Sequence, residues 1–408
     1  MRIGVNCFLL QPHIGGLKQY FLTLFDELLE HDRENAYVFF WYPHNASELA
    51  KLRSERWKEH AIELKYDQRE MLAFVDQIDV YFCPFGALYP RPLPLPTVMT
   101  LVDIQEVFFP EFFTPDDLYT RDVHFASSTH MSDRVITISE FSKKTLVQHH
   151  HLPPSKVTVA HLSADECFYQ AESVASPPNA ELPQQFIVMP ANMWKHKNHD
   201  RLLQALVLLR KERDIRVDVV FTGFEQNNGY PLAEHAHNYG IADQIHILGY
   251  VTREEIAYLY LHARALVFPS LFEGFGIPLV EAMAAGCPVV ASNTTSIPEV
   301  VGDAALLFDP TEPAAIANSI AQIWNDASLR QQLIMRGRER AKHFSPAHTA
   351  RAHVTAFSES IGAFSRRRFQ WNQYIYQHYY ATRVAFRWRR RLLRRLSEKL
   401  GERLVTRS

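Results

Sequence analysis

The chain has 408 residues, a length that predicts two domains rather than a single hydrophobic core. Hydrophobic residues make up 47% of it and charged residues 22%, which excludes a disordered chain and indicates a globular protein. The formal net charge of −2 conceals an asymmetry, because residues 366–408 carry 13 Lys/Arg and 2 Asp/Glu while the remainder is acidic. Such a split predicts a basic tail with a partner of its own.

The apolar segments and the cysteines predict the compartment. No segment of the sequence reaches the roughly 18 apolar residues of a membrane-spanning helix. The N-terminal segment is typical of a buried strand rather than of a signal peptide. The four cysteines have no paired spacing, which favours reduced thiols over disulfides or a zinc site. We therefore expect a cytoplasmic protein.

Strand-like and helix-like segments alternate along the chain. Continuous apolar strands of this kind predict parallel sheets covered by helices on both faces. The expected strands are 2–7, 37–42, 80–83, 97–101, 134–138 and 157–160, then 186–189, 217–222, 245–248, 265–268 and 288–291. The expected helices include 17–30, 200–211, 253–262 and 313–325.

A segment rich in Pro, Ser and Ala interrupts this alternation at residues 171–184 and predicts an interdomain linker. The two halves, 1–170 and 185–345, are then each a doubly wound, Rossmann-like α/β domain. Ligands of such sheets bind at the carboxyl ends of the strands, so we expect a site in the cleft where the two domains face each other.

Two features of the first half follow predicted strands. Gly15 and Gly16 come after the first strand, where glycines let a backbone approach a diphosphate closely; an ordinary strand-to-helix turn is the alternative. Asp103 comes after the strand 97–101 and is expected to point into the cleft; a turn or helix cap is the alternative.

Lys195 and Lys197 follow the first strand of the second half. Lysines at the carboxyl end of a strand can neutralise phosphates as point charges, and a solvated basic turn is the alternative. The histidines near them have no spacing typical of metal ligands, and no Asp-x-Asp pair indicates a Mg²⁺-bound diphosphate. The sequence therefore predicts no metal site.

The segment 273–281 is the most informative of the chain. Glu273 and Glu281 flank Gly274 and Gly276, after a buried strand and at the start of a short helix, whose first turn tolerates Pro278. Free amides at that helix start form a site for an anion. Carboxylates beside an anion site are repulsive unless they bind something else, and sugar and ribose hydroxyls would suit them.

Together these motifs resemble the retaining GT-B glycosyltransferases of family 4, which include bacterial mannosyl- and glucosyltransferases of surface polysaccharide assembly. The resemblance covers about residues 1–365, and its strongest part is the family's E-x7-E motif, Glu273 to Glu281, within 268–292. Further similar segments are Gly15-Gly16, 135–142, 196–198, 248–251 and 297–302.

The resemblance implies a catalytic set of Glu273, Lys197 and Asp103, with Glu273 on hydroxyls of the donor sugar and Lys197 on the diphosphate. Glu281 is implied to bind the ribose. The resemblance also implies that residues 1–170 form the acceptor domain and residues 185–345 the nucleotide-sugar donor domain. The implied donor-binding set is Gly15, Gly16, Asn192, Lys195, Lys197, Gly223, Tyr250, Val251, Gly274, Phe275, Gly276, Ile277 and Glu281. No metal or other cofactor is implied, since the nucleotide-diphosphate sugar is itself the substrate.

Two positions depart from the family pattern: Asn192 stands where an arginine is common, and Val102 where a histidine is common. Lys195 is a candidate for the missing charge. The run from Trp194 to His199 is most similar to O-antigen mannosyltransferases and favours GDP-mannose as donor. The acceptor is expected to be a glycan or a lipid-linked glycan in bacterial surface polysaccharide synthesis.

The C-terminal region offers several interpretations. The resemblance implies that a helix at 346–365 crosses back to the first domain. Basic residues with interleaved Trp and Tyr in 366–408 predict an amphipathic helical tail on an anionic membrane surface, at the inner face of the cell membrane, or on a protein partner. Packing on the first domain and nucleic-acid binding are alternatives, the latter the least favoured.

Other functions fit parts of the pattern. A nucleotide-sugar epimerase or a phosphorylase would share the GT-B architecture, but the E-x7-E motif favours transfer to an acceptor. An inactive scaffold recruited through its basic tail is the alternative from another class. The intact Glu273, Glu281 and Lys197 argue against it, whereas Val102 and Asn192 leave it open.

Overall fold

The computed structural model describes residues 1–12, 15–65, 67–225 and 230–380. In these ranges the chain forms two parallel sheets, each covered by helices. The first sheet has the strands β1 (Arg2–Asn6), β2 (Ala36–Trp41), β3 (Ile62–Glu63), β4 (Val80–Cys83), β5 (Thr97–Thr100), β6 (Arg134–Thr137) and β7 (Val157–Val159). The second has β8 (Phe186–Pro190), β9 (Asp218–Thr222), β10 (Ile245–Ile247), β11 (Ala265–Phe268), β12 (Val289–Ser292) and β13 (Ala305–Phe308).

The helices alternate with these strands. The α-helices are α1 (Gly16–His31), α2 (Ala46–Leu49), α3 (Gln105–Phe108), α4 (Pro115–Arg121), α5 (Ser127–Met131), α6 (Glu140–His149), α7 (Glu166–Tyr169), α8 (Ala171–Val174), α9 (His199–Arg213), α10 (Leu232–Asn238), α11 (Arg253–His262), α12 (Ile277–Ala285), α13 (Ile297–Val301), α14 (Pro313–Asn325), α15 (Ala327–Ala341), α16 (Pro346–Ala363) and α17 (Arg366–Ile375). Short 3-10 turns span Pro43–Asn45, Glu55–His60, Gln68–Gln77, Pro110–Phe112, Pro154–Lys156, Lys195–Lys197 and Ala242–Gln244, and π-helical turns span Asp122–Ala126 and Tyr376–Tyr380.

The strand order defines two doubly wound sheets. It is β3-β2-β1-β4-β5-β6-β7 in the first and β10-β9-β8-β11-β12-β13 in the second, with parallel pairing throughout. The chain reverses its direction of progress across the sheet between β1 and β4, and again between β8 and β11. Ligands of open α/β sheets bind at such switch points, beyond the carboxyl ends of the strands. The fold therefore offers one switch point in each domain.

The predicted fold class is confirmed, and the strands agree with the expected segments within one residue at each end. The edge strands β3 and β13 were missed. The first has two residues, too few for a recognisable pattern. The second is a run of four apolar residues that is only partly buried, and it was not assigned as a strand.

Helix α16 returns from the second sheet to the first. Its His353 accepts or donates a 2.6 Å hydrogen bond with the buried Tyr20 of α1, and its Phe357 lies edge-on to Phe82 of β4, with ring centroids 5.1 Å apart. Burial lowers the pKa of His353 to about 4, so its ring is neutral at physiological pH. The segment 346–363 thus completes the core of the first domain.

Helix α17 continues on the outside of the first domain. Arg368 forms an ion pair with the buried Asp133, and Asn372 Nδ2 donates to the Met131 carbonyl at 3.4 Å. Tyr376 lies with its ring 5.6 Å from the Arg91 guanidinium. The start of the basic tail therefore packs on the first domain, while residues 381–408, which carry most of its charge, lie outside the described residues.

Candidate active site

The switch point of the second sheet brings two loops together. Lys197 comes from the turn after β8, and Glu273 from the loop after β11. Their side chains form an ion pair with Nζ and Oε1 2.6 Å apart, at 16% and 12% exposure. An ammonium has three N–H donors, and this contact uses one. The pair thus offers a cation and a carboxylate at a single point of the cleft.

The backbone of the loop after β11 is fixed by side chains from the next loop. The Ser296 hydroxyl donates to the carbonyls of Glu273 (2.9 Å) and Phe275 (3.2 Å), and the Glu273 amide donates to Thr295 Oγ1 at 3.2 Å. Because these hydrogen bonds hold the carbonyls of Glu273 and Phe275 on one side of the loop, its amides are left on the other side. Within the described ranges, the amides of Gly274 and Gly276 donate no hydrogen bond.

This loop leads directly into α12. Gly276 caps the helix in the left-handed region (φ 96°), and Pro278 stands in the first turn, where no N–H is required. The positive end of the helix, including the amide of Ile277, therefore lies beside the free amides of the loop. The arrangement is suited to an anion such as a diphosphate.

Asp103 approaches this loop from the first domain. A Cβ at Gly274 would lie 2.7 Å from Asp103 Oδ2, so any side chain at that position would collide with the carboxylate. Burial raises the pKa of Asp103, and the nearby negative charge of Glu273 raises it further. The sequence predicted that Asp103 points into the cleft, and the structure brings it against the loop of Glu273.

Glu281 lies one turn into α12 and is partly buried. The Tyr260 hydroxyl of α11 donates to its Oε2 at 3.3 Å. Burial raises the pKa of Glu281 to about 7, against the opposing effect of Tyr260 and Arg253. Eight positions along the chain therefore separate two different environments, an ion pair for Glu273 and a partly buried hydrogen bond from Tyr260 for Glu281.

The turns after β8 and β9 meet at Gly223. A Cβ there would lie 2.8 Å from the backbone of Ala191 and Asn192, and the positive φ of 103° also favours glycine. The side-chain oxygen of Asn192 accepts a 2.9 Å hydrogen bond from the Phe224 amide. Asn192 therefore joins the two turns.

Exposed aromatic rings border these turns. Tyr250, which follows β10, is 74% exposed and stacks on Phe224 with centroids 6.1 Å apart and planes 9° apart. Val251 follows it and is partly buried. Sequence reasoning proposed Tyr250 and Val251 but missed Phe224, since a lone aromatic residue after a strand is usually part of the core.

Lys195, Gly15 and Gly16 are more open. Lys195 is exposed, whereas its neighbour His196 is partly buried, and burial, with Lys197 beside it, lowers the pKa of His196 to about 3. Gly15 caps α1 with φ 51°, and a Cβ at either glycine would meet no heavy atom of the described residues within 4 Å. Space is therefore available over this turn, while the neighbouring residues 13 and 14 lie outside the described ranges.

The two domains contact each other around the same loop. Ser142 Oγ of α6 donates to the Gly274 carbonyl at 3.3 Å. Glu299 of α13 accepts hydrogen bonds from the amides of Glu140 (2.8 Å) and Phe141 (3.0 Å) at the start of α6, and from His161 at 2.8 Å. Sequence reasoning included these segments only as similar motifs and gave them no role.

Comparison with known proteins agrees with this geometry. The profile of the glycosyl transferases group 1 family matches residues 173–340, which include Lys197, Glu273 and Glu281. The O-antigen chain mannosyltransferase B of Escherichia coli is 32% identical over 316 residues, covering 76% of this chain and 82% of that protein. The chain belongs to the group 1 glycosyltransferases.

Other proteins are similar to this glycosyltransferase over part of its sequence or in their fold. The serotype-specific mannosyltransferase WbdA of Escherichia coli is 28% identical over 237 residues, covering 56% of this chain and 29% of that longer protein. The crystal structure of Anabaena HepE in complex with UDP has a TM-score of 0.67 at 17% identity, covering 88% of this chain and 99% of that one. The glycosyltransferase described here therefore has the GT-B fold.

The described residues of the glycosyltransferase lack a metal-binding cluster and a membrane-spanning helix. They contain no group of three or more His, Cys, Asp or Glu side chains arranged to hold a metal ion. Nor does this part of the chain contain a helix with the length and apolar character needed to cross a bilayer.

Proposed function

We propose that the chain transfers a mannosyl unit from GDP-mannose to a glycan or lipid-linked glycan acceptor in bacterial surface polysaccharide synthesis. The proposed reaction retains the anomeric configuration and uses no metal ion. Two relatives support the sugar and the pathway class, since one is named an O-antigen chain mannosyltransferase and the other a serotype-specific mannosyltransferase. The observation that carries the proposal is the 2.6 Å pair of Lys197 and Glu273 beside the free amides at the start of α12.

The proposed reaction exchanges one bond to the anomeric carbon for another. The bond from that carbon to the phosphate oxygen breaks, and a bond to the acceptor hydroxyl oxygen forms on the same face. The hydroxyl proton goes to the departing phosphate oxygen, so no separate base is required. Negative charge develops on the diphosphate, and Lys197 and the helix start would stabilise it there.

Carboxylates would orient the sugar in this scheme. Glu273 precedes Gly274 in the loop after β11, and Asp103 approaches Gly274 from the first domain. Carboxylates from both domains suit hydrogen bonds to the hydroxyls of a sugar. Glu281 lies deeper along α12 and suits the ribose. Closure of the domains around the donor would exclude water and limit hydrolysis.

A donor panel tests the proposal. Purified protein is incubated with GDP-, UDP- and ADP-sugars and a mannose-terminated acceptor, and release of nucleoside diphosphate and formation of product are measured. We expect turnover with GDP-mannose above the other donors. Turnover with another donor would overturn the choice of sugar, and the absence of turnover with every donor would favour the scaffold. Transfer to water, or a changed sugar without transfer, would favour the other enzyme classes.

We also propose that the protein is cytoplasmic and associates peripherally with the inner face of the membrane, close to a lipid-linked acceptor. Helix α17 has an exposed aromatic face, with Trp371 at 62% and Tyr374 at 53% exposure and their rings stacked 5.9 Å apart. Exposed Trp and Tyr beside basic residues suit an interfacial location on anionic lipid.

Liposome sedimentation tests the membrane proposal. Full-length protein and a chain that ends at Tyr380 are compared on vesicles of anionic and of neutral lipid. We expect binding of the full-length chain to anionic vesicles, reduced by high salt and by the truncation. Equal sedimentation of full-length protein with both kinds of vesicle would contradict the proposal.

A further inference from the structure

The residue before Glu273 reaches into the opposite domain. Phe272 belongs to the loop after β11, in the second domain, and it is 2% exposed. Its ring centroid lies 5.4 Å from that of Phe108, 6.2 Å from that of Phe109 and 5.8 Å from that of Phe141. All three of these rings belong to the first domain, and together we call them the aromatic socket.

The rings of the aromatic socket meet Phe272 in the arrangements that aromatic pairs prefer. Such pairs are favourable edge-on or offset, with centroids about 4.5–7 Å apart. Phe272 is edge-on to Phe109 and Phe141, with interplanar angles of 76° and 67°. Phe108 is 39% exposed and packs on His149 of α6, with ring centroids 5.5 Å apart. The socket therefore stabilises the contact between the domains, and its exposed wall can be changed without opening a hydrophobic core.

Gly274, on the other side of Glu273, is also held by the first domain. Its carbonyl accepts a 3.3 Å hydrogen bond from Ser142 Oγ. A Cβ at this glycine would lie 2.7 Å from Asp103 Oδ2, so the carboxylate lies directly against the loop. The first domain therefore contacts both neighbours of Glu273 in the chain, one through its side chain and the other through its backbone.

Two short segments of the first domain supply these contacts. Asp103 Oδ1 accepts a 3.2 Å hydrogen bond from the first amide of α3, and Phe108 is the last residue of that helix. Phe141 and Ser142 are consecutive residues of α6. Each segment thus contacts the loop on both sides of its carboxylate. A shift of either helix would therefore move both contacts together.

The second domain holds the same loop through its backbone. The Leu271 amide donates to the His196 carbonyl at 2.8 Å, which ties the loop to the turn after β8. Lys197 is the next residue of that turn, and its Nζ lies 2.6 Å from Glu273 Oε1. Glu273 therefore lies between a backbone attachment to its own domain and the ring of Phe272 in the other. Release of that ring would change the geometry of the ion pair.

We propose that Phe272 is a positioning residue for the transfer reaction, which orients Glu273 toward Lys197 only while its ring is seated in the aromatic socket. The donor site of the second domain then depends on the placement of the first domain. This inference rests on the proposed function, because the reaction that it concerns is the proposed transfer. Phe272 acts through Glu273 and not on the sugar itself.

A kinetic comparison tests the proposal from both sides of the contact. The variants are Phe272→Ala, Phe272→Leu, Phe108→Ala and the double variant of Phe272→Ala with Phe108→Ala. Phe108→Ala changes an exposed wall of the socket and should fold even where a change at the buried ring does not. Phe74→Ala is the matched control, since it removes a ring that packs on Phe40 within the first domain, 5.9 Å between centroids. Steady-state transfer, nucleoside diphosphate binding and Tm are measured for each.

We expect Phe272→Ala to lower kcat by about 10–10²-fold, as a displacement of roughly 1 Å can cause. Donor KM and the Kd of the nucleoside diphosphate should stay within about twofold, which a general loss of structure would not give. Phe272→Leu should recover part of the rate. Phe108→Ala should lower kcat about 3–10-fold, and the double variant should be no slower than Phe272→Ala, because both changes remove one contact. Unchanged kcat in folded Phe272→Ala, or effects that multiply in the double variant, would overturn the inference.

Hydrogen exchange separates this inference from the proposed function, since it requires no turnover. Amide exchange is followed by mass spectrometry in peptides that cover 139–142, whose amides bond to Glu299 of the other domain, and 270–276. We expect exchange in both peptides to be about 2–10-fold faster in Phe272→Ala, the size of a lost aromatic contact, and unchanged in Phe74→Ala. Unchanged exchange in folded Phe272→Ala would overturn the inference and leave the proposed function intact. Faster exchange in a protein that turns over no donor would instead overturn the proposed function.

Discussion

Lys197 and Glu273 come from loops 76 positions apart in sequence and meet at the switch point of the second sheet. Each is partly buried, and each shields the other from the cost of an isolated charge at such a site. A diphosphate that reaches this point can use the N–H donors of the lysine that Glu273 does not occupy.

Replacing Lys197 by Met is expected to lower kcat by about 10²–10³, the usual effect of removing one stabilising donor from a developing charge. Glu273→Gln should also lower kcat, since the pair then lacks its carboxylate. The measurement is nucleoside diphosphate release under saturating donor and acceptor. Lys211→Met, at an exposed position of α9, is the control and should keep full rate.

A substitution at Gly274 tests how closely Asp103 of the first domain approaches the loop of the second domain. Because a Cβ would lie 2.7 Å from Asp103 Oδ2, Gly274→Ala must displace either the loop or the carboxylate. We expect kcat to fall by about 10²-fold, as a displacement of roughly 1 Å can cause. Gly362→Ala, where a Cβ would meet nothing within 4 Å, should keep activity. Equal activity of the two variants would contradict this close approach.

At the scale of elements, the N-termini of two helices lie at the candidate site. The N-terminus of α12 faces the open anion site, and that of α6 faces a carboxylate. At α6, the carboxylate of Glu299 from the opposite domain accepts the first amides of the helix. Charge-assisted bonds of this kind suit the positive end of a helix. The contact links the placement of the first domain to the loop that holds Glu273, because α13 follows Thr295 and Ser296 directly.

Glu299 predicts a pH dependence of stability. Burial raises the pKa of Glu299, but the hydrogen bonds from His161, Glu140 and Phe141 outweigh it, so the pKa lies below the ordinary 4.5. The contribution of Glu299 to the free energy of unfolding is then complete above pH 4.5, and it is lost as the pH falls through the pKa of the folded state. Glu299→Gln should lower the free energy of unfolding by about 1–3 kcal/mol at pH 7.

The difference between wild type and Glu299→Gln should shrink as the pH is lowered below 4.5, and denaturant titrations across the pH range measure it. Glu181→Gln, at an exposed position between the sheets, is the control and should change stability little at any pH. A difference that is the same at pH 7 and at acid pH would contradict the role of the carboxylate.

Glu281 predicts a pH dependence of stability opposite in sign to that of Glu299. Burial opposes the ionisation of Glu281 in the folded protein and raises its pKa from 4.5 to about 7. Between these pH values the unfolded chain has lost the proton and the folded protein keeps it, so the free energy of unfolding falls as the pH rises. Glu281→Gln should remove this loss, and its Tm should exceed that of wild type at pH 8 by a few degrees, at about 2–4 °C per kcal/mol. Calorimetry should show weaker binding of the nucleoside diphosphate by the same variant. A lower Tm at pH 8 would contradict the stated cost of burial.

At the scale of the whole molecule, the C-terminal segment belongs in part to the first domain. Helix α16 packs on its sheet, and α17 is held by the ion pair of Arg368 with Asp133. Asp133 is 6% exposed and also accepts bonds from Thr97, so its charge lies inside the domain. The tail is therefore two parts, one packed on the domain and one beyond the described residues.

Two truncations distinguish these parts. A chain that ends at Tyr380 keeps the contacts of Arg368, Asn372 and Tyr376, and we expect its free energy of unfolding to equal that of the full chain. A chain that ends at Phe364 leaves Asp133 without its arginine and should lose on the order of 1–3 kcal/mol. Thermal and denaturant unfolding measure both, with Arg368→Ala in the full chain as the matched variant. Equal stability of the two truncations would contradict the packing of α17.

The sequence determined the fold class and most strands, because buried parallel strands have continuous apolar runs and glycine turns follow them. The residues of the site that it indicated stay a prediction. The sequence could not show that Asn192 bonds to the Phe224 amide, since a side-chain partner is chosen by spatial neighbours. The two-residue edge strand β3 was missed for the same reason: its pairing comes from the sheet and not from its own short pattern.

Only the tertiary structure decided which distant residues meet. It brought Glu273 into an ion pair with Lys197, where the sequence had assigned them to hydroxyls and phosphate separately. It explained Gly274 by the approach of Asp103 from the other domain, a contact across 171 positions of chain. Local patterns follow from the preferences of neighbouring residues, whereas a contact between loops depends on strand order and domain placement, which sequence periodicity does not encode.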